Sequence, residues 1–165
     1  DIIVTATGFE LCVLGNIEFD IDGKSVDFSK TFAYKSMMFS DVPNLIWTFG
    51  YINASWTLKA DLAAEFSCRV INHMDKIGSE ICTPCLRAGE LNMLGRDWID
   101  NFSSGYIQRK MHLLPKQGDQ SPWVNTQDYL YDKKMIRKEP IDDGVLRFSK
   151  TGNSTRGQQL ENDAA

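Results

Sequence analysis

Between about Asn53 and Ile77, Asp61, Glu65, Arg69 and His73 recur every four residues. Residues four apart lie above one another on a helix, so these four form one wet stripe. Most of the remaining positions (Trp56, Leu58, Ala60, Leu62, Ala64, Phe66, Val70, Ile71 and Met74) are apolar and surround most of the circumference. A helix patterned this way is expected to be buried on more than one side, as in a layered α/β domain. Asn53 or Ser55 can cap its start. Lys76 in the last turn and Gly78 just beyond it supply a stop. Glu65 and Arg69 stand in the favourable order for an ion pair within the helix, worth about 0.3 kcal/mol.

The segments before the helix read as strands. Asp1-Ile2-Ile3-Val4-Thr5 starts without Met, runs directly into an apolar stretch of buried-strand character, and ends in the small residues Ala6-Thr7-Gly8. A central strand needs neighbours on both sides, so further sequence upstream is expected. Ile17, Phe19 and Ile21 alternate with Glu18 and Asp20, Asp22-Gly23 supplies a two-residue turn, and Val26 and Phe28 resume the alternation: a β-hairpin. Tyr34 to Phe39 reads as another short strand. Pro43 interrupts the chain, and Leu45 to Phe49 reads as a second buried strand stopped at Gly50.

Beyond Gly78 the periodicity fades. Gly89 to Lys150 is rich in Trp, Tyr and Pro and reads as an irregular wrap with one or two short helices, anchored by Trp98 and Trp123. From Thr151 on, Gly, Asn, Ser and Gln dominate, and a disordered tail over 151–165 is expected. The expected organisation is therefore 1–78 as a principal unit, 79–150 as a wrap packed on it, and the tail.

At 165 residues with 42% hydrophobic and 24% charged side chains, the chain has the composition of a soluble globular protein. A net charge of -4 argues against nucleic acid or an anionic membrane as the main partner. No apolar run approaches the roughly 20 residues of a membrane span. Of the four cysteines, only Cys82-Thr83-Pro84-Cys85 has a suggestive spacing, and no second pair of ligands follows to make a zinc site; His73 and His112 are poorly placed. Reduced thiols in a cytoplasmic protein are the expectation.

Two places could carry chemistry. In open α/β sheets, ligands collect beyond the C-terminal ends of strands. Ala6-Thr7-Gly8 and Gly50-Tyr51-Ile52-Asn53 are such ends, and the second also opens the long helix. The first amides of a helix lack partners and its N-terminal dipole end is partly positive, which suits an anion or the electron-rich edge of a ring. A strand, a turn and a capped helix equally describe ordinary architecture.

The residues also carry a resemblance. Asp1-Ile2-Ile3-Val4-Thr5-Ala6-Thr7-Gly8-Phe9 resembles the strand ending in Ala-Thr-Gly-Phe/Tyr of class B flavoprotein monooxygenases. Val42-Pro43-Asn44-Leu45 through Gly50 is similar to a later strand of the same family. The run Ala33 to Met38, the run Gly50 to Leu62, and the segments Leu114 to Gly118, Pro122-Trp123 and Ile141 to Asp143 look like the ethionamide-activating type of Baeyer–Villiger monooxygenase. The resemblance extends from Asp1 to about Phe148. It implies the C-terminal portion of a flavoprotein with two dinucleotide-binding domains, using FAD, NADPH and O2 to place one oxygen atom into ketones or onto soft sulfur or nitrogen atoms. It further implies that Ala6, Thr7 and Gly8 mark the return of the chain from the NADP domain to the FAD domain. Asn53, Ala54, Ser55, Trp56 and Thr57 would face the pyrimidine end of the flavin.

Parts of that family's pattern are absent. No G-x-G-x-x-G fingerprint occurs, nor the F-x-G-x-x-x-H signature, nor the arginine the family uses beside the flavin. The polypeptide alone is therefore expected neither to hold FAD tightly nor to turn over, and to need the missing N-terminal part of the enzyme as its partner. Trp56 fills either the core or a flavin contact. Lys59 and Asp61 belong either to an active-site wall or to a solvated helix face. Lys133, Lys134, Arg137 and Lys138 read as a solvated face before a nucleotide-phosphate site. Two other readings compete: a thiol–disulfide flavoprotein using Cys82 and Cys85, and a non-catalytic module retained for packing.

Overall fold

The computed structural model describes residues 1–100 and 102–151, so the expected tail at 152–165 lies outside the described residues. The fold mixes helix with three small two-stranded antiparallel sheets; a parallel open sheet is not among the described elements. Strands β1 (Asp20–Ile21) and β2 (Lys24–Ser25) form the expected hairpin. Its turn residues Asp22 and Gly23 both have positive φ, at 52° and 76°, the geometry that matches the twist of paired strands. Phe19 O accepts from Val26 N beyond the strands themselves.

The stretch read as one strand over Tyr34 to Phe39 is instead a second hairpin, β3 (Ala33–Tyr34) and β4 (Met38–Phe39). Lys35 and Ser36 take left-handed conformations at its tip, at φ 48° and 58°. An apolar run turns here without glycine because the Lys35 ammonium is held beneath the turn by carboxylates. Leu45 to Phe49 does not form a strand. One ladder bond, Trp47 N to Met37 O at 2.7 Å, is its link to the neighbouring hairpin, and its aromatic rings pack with Trp98 instead.

The expected strand at Asp1 to Thr5 is also absent. Ile2, Ile3 and Val4 are 84–92% exposed. A strand has no independent stability without neighbours to accept its backbone bonds, and none of the described strands lies beside it.

Helix α1 (Trp56–Ile77) ends as expected at Gly78, whose φ of 66° is the left-handed conformation of a helix stop. Its burial differs from expectation. Lys59, Leu62, Ala63, Phe66 and Val70 are buried, a single stripe at helical spacing, while Trp56, Ala60, Ala64 and Ile71 are exposed. The expected Glu65–Arg69 pair does not form. Glu65 binds Arg137 at 2.7 Å, and Arg69 donates to the carbonyls of Ile136 and Glu139. Both Arg69 acceptors belong to the C-terminal end of α3 (Tyr129–Lys138). A guanidinium there satisfies carbonyls that a helix leaves without partners, so Glu65 and Arg69 of the wet stripe border α3, whose Met135 and Ile136 share the core of Leu62 and Phe66.

The segment after Gly78 is more ordered than its composition suggests. Strand β5 (Ile81–Pro84) pairs antiparallel with β6 (Leu146–Ser149), in the register Ile81 to Ser149 and Pro84 to Leu146. Helix α2 (Gly105–Gln108) is short. Two aromatic-rich cores result. Phe66, Tyr34, Met37, Trp123, Ile136 and Leu146 belong to the first, and Phe49, Trp98, Ile99, Ile107 and Leu114 to the second. Trp98 and Trp123 are fully buried, one in each. Removing the Phe66 ring from the larger core should cost about 3–5 kcal/mol. Denaturant unfolding of Phe66→Ala reads this, and a loss below about 1 kcal/mol would show that the core does not centre on α1.

Candidate functional site

The start of α1 is open. Residues 52–57 are exposed, and Ser55 occupies the N-cap position without making a side-chain capping bond. Its hydroxyl lies 2.7 Å from that of Thr57 instead. Asn53 does not cap either: its amide donates to Gln127 O at 3.1 Å, while Ile52 N donates to Gln127 Oε1 at 2.9 Å. These two bonds fix the entering turn against the segment before α3. The first turn holds no acidic residue, so the partly positive end of a 22-residue helix faces outward without a carboxylate to neutralise it.

Trp56, expected in the core or on a flavin, is 51% exposed and leans on Phe49, ring centroids 5.1 Å apart. Its indole also covers Gly50, where any Cβ would overlap the ring. Gly50 is therefore required by a close approach, and the result is an aromatic plate standing beside the helix start.

Ala6, Thr7 and Gly8 lie elsewhere, in the exposed segment before residue 10. Thr7 and Gly8 line an open depression with Phe9, Glu10, Tyr106, Arg109 and Lys110. Lys110 pairs with Glu10 at 2.9 Å, and Phe9 meets Tyr106 edge-on at 6.2 Å. Each of the two expected site segments thus has its own neighbours: the N-terminal one rests on α2, and Asn53 to Thr57 stands against Gln127.

Sequence reasoning left the most deeply placed polar cluster unresolved. Lys59 is 2% exposed and its ammonium lies 2.8 Å from Asp132 Oδ2 in α3. Tyr51 donates its hydroxyl to the same oxygen at 2.8 Å, and Thr126 donates to Oδ1 at 2.6 Å. The Lys59 ammonium also sits 5.4 Å from the centre of the Tyr51 ring. Burial pulls the Lys59 pKa down while the Asp132 carboxylate pushes it back up. Burial, reinforced by Asp132, raises the Tyr51 phenol. One signal was available: Lys59 falls on the apolar stripe that Leu62, Ala63 and Phe66 define. Asp61, weighed with it, is on the exposed side.

A second cluster holds the β3–β4 turn. Lys35, 1% exposed, lies 2.7 Å from Glu139, and Tyr34 donates to Asp143 at 2.6 Å. Burial, with Asp143, raises the Tyr34 phenol strongly. Two of the four basic residues of α3 are engaged: Arg137 by Glu65, and Lys133 over the Tyr129 ring at 5.7 Å. His73, expected on the surface, packs against Phe148 at 4.8 Å.

Cys82 and Cys85 are free thiols. Cys82 is 1% exposed, and burial pushes it up to about 12; burial raises Cys85 as well. A redox relay needs an accessible, low-pKa thiolate, and Cys82, set inside β5, has the opposite environment. Among the described residues no group of three or more His, Cys, Asp and Glu side chains could hold a metal, and no helix is long and apolar enough to cross a membrane.

The start of α1 is thus uncapped, stands beside an exposed indole, and is followed one turn further in by a buried ion pair. The chain is similar in sequence to curated FAD-containing monooxygenases. It is 46% identical over 151 residues to the "Probable FAD-binding monooxygenase AlmA" of Acinetobacter baylyi, covering 91% of this chain and 30% of that protein. To the "FAD-containing monooxygenase EthA" of Mycobacterium tuberculosis it is 47% identical over 150 residues, again 91% of this chain and 30% of the relative. The Mycolicibacterium smegmatis protein of that name is 44% identical over the same length. The chain therefore spans about 30% of the length of the curated relatives it matches. The resemblance read from the Ala-Thr-Gly and Asn53–Leu62 segments is borne out at this level. No protein-family model matches the chain, and no solved structure does.

Two outcomes test the buried clusters. Lys59→Met leaves Asp132 buried without its counter-charge and should cost about 3–5 kcal/mol in denaturant unfolding, where a loss under about 1 kcal/mol would mark the pair as ornamental. The fold also holds the Tyr34 and Tyr51 phenols neutral above their ordinary value of 10.0, whereas the unfolded chain ionises them there. Their contribution is complete below pH 10 and is lost as the pH rises beyond it. Stability measured against pH should fall above about 10, less steeply in Tyr51→Phe.

Proposed function

We propose that this chain contributes the flavin-facing helix and the wrap around it to an FAD- and NADPH-dependent monooxygenase. That enzyme would place one oxygen atom from O2 into ketones or onto soft sulfur or nitrogen atoms. The observation that carries the reading is the start of α1: exposed, uncapped, and without an acidic residue in its first turn. The names of the relatives support FAD. NADPH, the substrate classes and the two-dinucleotide-domain architecture come from the sequence resemblance, the division at residue 78 from the fading periodicity, and all belong to the proposal. Bound FAD would supply the oxygen-activating chemistry.

The residues present fit that group. In this reading the amides of Ser55, Trp56 and Thr57 turn toward the pyrimidine edge of the flavin, where reduction places negative charge. Fixed dipoles stabilise such charge without having to reorganise. Asn53 and Ile52, tied to Gln127, hold the turn in place. Lys59 and Asp132 lock the next turn to α3, so the dipoles keep their direction. Trp56, resting on Phe49, offers its ring face at the margin of the site and shields it from water. Ala6, Thr7 and Gly8 act as a crossing point, where Gly8 (φ 80°) lets the chain turn sharply.

The test separates stability from binding. Ser55→Asp supplies the missing cap, so it should raise the thermal midpoint of the chain. The same carboxylate would occupy the amides and repel the flavin. In a full-length monooxygenase carrying this segment, FAD should therefore bind about tenfold more weakly, as expected for one misplaced charge. The chain alone, titrated with FAD, should show no stoichiometric flavin spectrum. Unchanged FAD affinity in Ser55→Asp would remove α1 from the flavin site.

A further inference from the structure

Helix α1 has three faces. At about 100° per residue, Lys59, Leu62, Ala63, Phe66 and Val70 share one arc and are buried. Asp61, Glu65, Arg69 and Asn72 share a second, which is polar and in part receives α3. A third arc, spanning roughly 120° of the circumference, carries Trp56, Ala60, Ala64, Cys68 and Ile71, with the hydroxyl residues Thr57 and Ser67 among them. The five non-hydroxyl residues are exposed, Trp56 by 51% and Ile71 by 56%. The charges of α1 are absent from this arc except for Asp75 near its C-terminal end. A helix apolar on two sides is packed from two sides, and contiguous exposed apolar surface of this kind marks an interface. Its shape is a saddle: bulky Trp56 and Ile71 stand at either end, while Ala60 and Ala64 between them allow a second element to approach within about 8–10 Å of the helix axis.

We propose that the Trp56–Ile71 arc is the interface onto which the FAD-holding remainder of the monooxygenase polypeptide packs. Two observations select this occupant. The relatives match 91% of this chain but only 30% of their own length, so in them the matched segment accompanies a remainder more than twice its size. The arc also begins at Trp56, the first residue of α1, and is continuous with the open helix start. Whatever holds a flavin against those amides must rise beside Trp56 and run along the saddle. The inference rests on the flavin reading of the helix start and adds to it a docking surface.

Cys68 sits inside the arc and is an exposed thiol, which makes it a reporter. The protein to use is the Acinetobacter baylyi relative with its matched segment replaced by this chain. Peptide-resolved alkylation with N-ethylmaleimide should modify Cys68 at least about tenfold more slowly there than in the chain alone, since thiol reactivity follows access. Ala64→Glu should restore fast labelling and lower the thermal midpoint of the chimera while leaving that of the chain unchanged. Asn72→Glu, the same charge on the polar arc, should do neither. Equal Cys68 rates in the two proteins overturn the proposal, as does protection that grows with concentration in the chain alone, which would assign the arc to a second copy. The flavin spectrum of the same sample keeps the two readings apart. Protection without bound FAD sinks the flavin site and leaves the interface standing, whereas bound FAD with unprotected Cys68 sinks the interface alone. Should the chimera fail to fold, a mixture of the chain with the separately produced remainder gives the same two rates. No protection there also overturns the proposal.

Discussion

The ion pair between Lys59 and Asp132 links nearly every part of the fold that bears on function. It ties α1 to α3 across 73 residues of sequence, and the same carboxylate takes the Tyr51 and Thr126 hydroxyls. Two charges taken out of water are a poor source of net stability, but removing either one leaves a strongly disfavoured buried group. The value of such a cluster lies in specificity. Only one register of α1 against α3 brings all four groups within bonding distance, and that register also sets the direction in which the first turn of α1 points.

The second cluster applies the same rule to a hairpin. Lys35 and Ser36 adopt positive φ, a conformation disfavoured for residues with side chains. The Lys35 ammonium is carried beneath the turn to Glu139, close to where Tyr34 reaches Asp143. Both carboxylates come from the stretch that follows α3. The part of the chain with the weakest periodicity therefore supplies the counter-charges for this hairpin.

How much could be read in advance follows from the range of each interaction. The Asp22-Gly23 hairpin, the length of α1 and its stop at Gly78 depend on neighbours a few residues away, and sequence pattern carries them. The β5–β6 ladder joins residues far apart in sequence, with Cys82 opposite Phe148, and no local pattern announces such a partner, least of all across Pro84. Charge misled most. Glu65 and Arg69 have the spacing of an intrahelical pair, yet each finds a stronger partner in α3. Lys59 was left open between an active-site wall and a solvated face, although its position on the apolar stripe was visible. Asp1 to Val4 has strand character that the described residues leave without a partner. Of the two candidate site segments, the place of the helix start was legible because it is a local property, but its capping was not, since Asn53 turns to Gln127 and Ser55 to Thr57; nor was the setting of Ala6, Thr7 and Gly8 against Tyr106 and Arg109.

The β5–β6 ladder has a consequence for the order in which the molecule can assemble. Strand β5 is complete by Pro84, but its partner begins at Leu146, and Cys82 reaches full burial only with that neighbour in place. During synthesis the backbone hydrogen bonds of the two hairpins and of α1 can form as they emerge, since those bonds are short in sequence. The larger core stays open until the final strand leaves the ribosome. Non-local closure of this kind slows folding and leaves apolar surface uncovered in the interval, so Cys82 and the rings around it are the last interior groups to be sheltered from the cell.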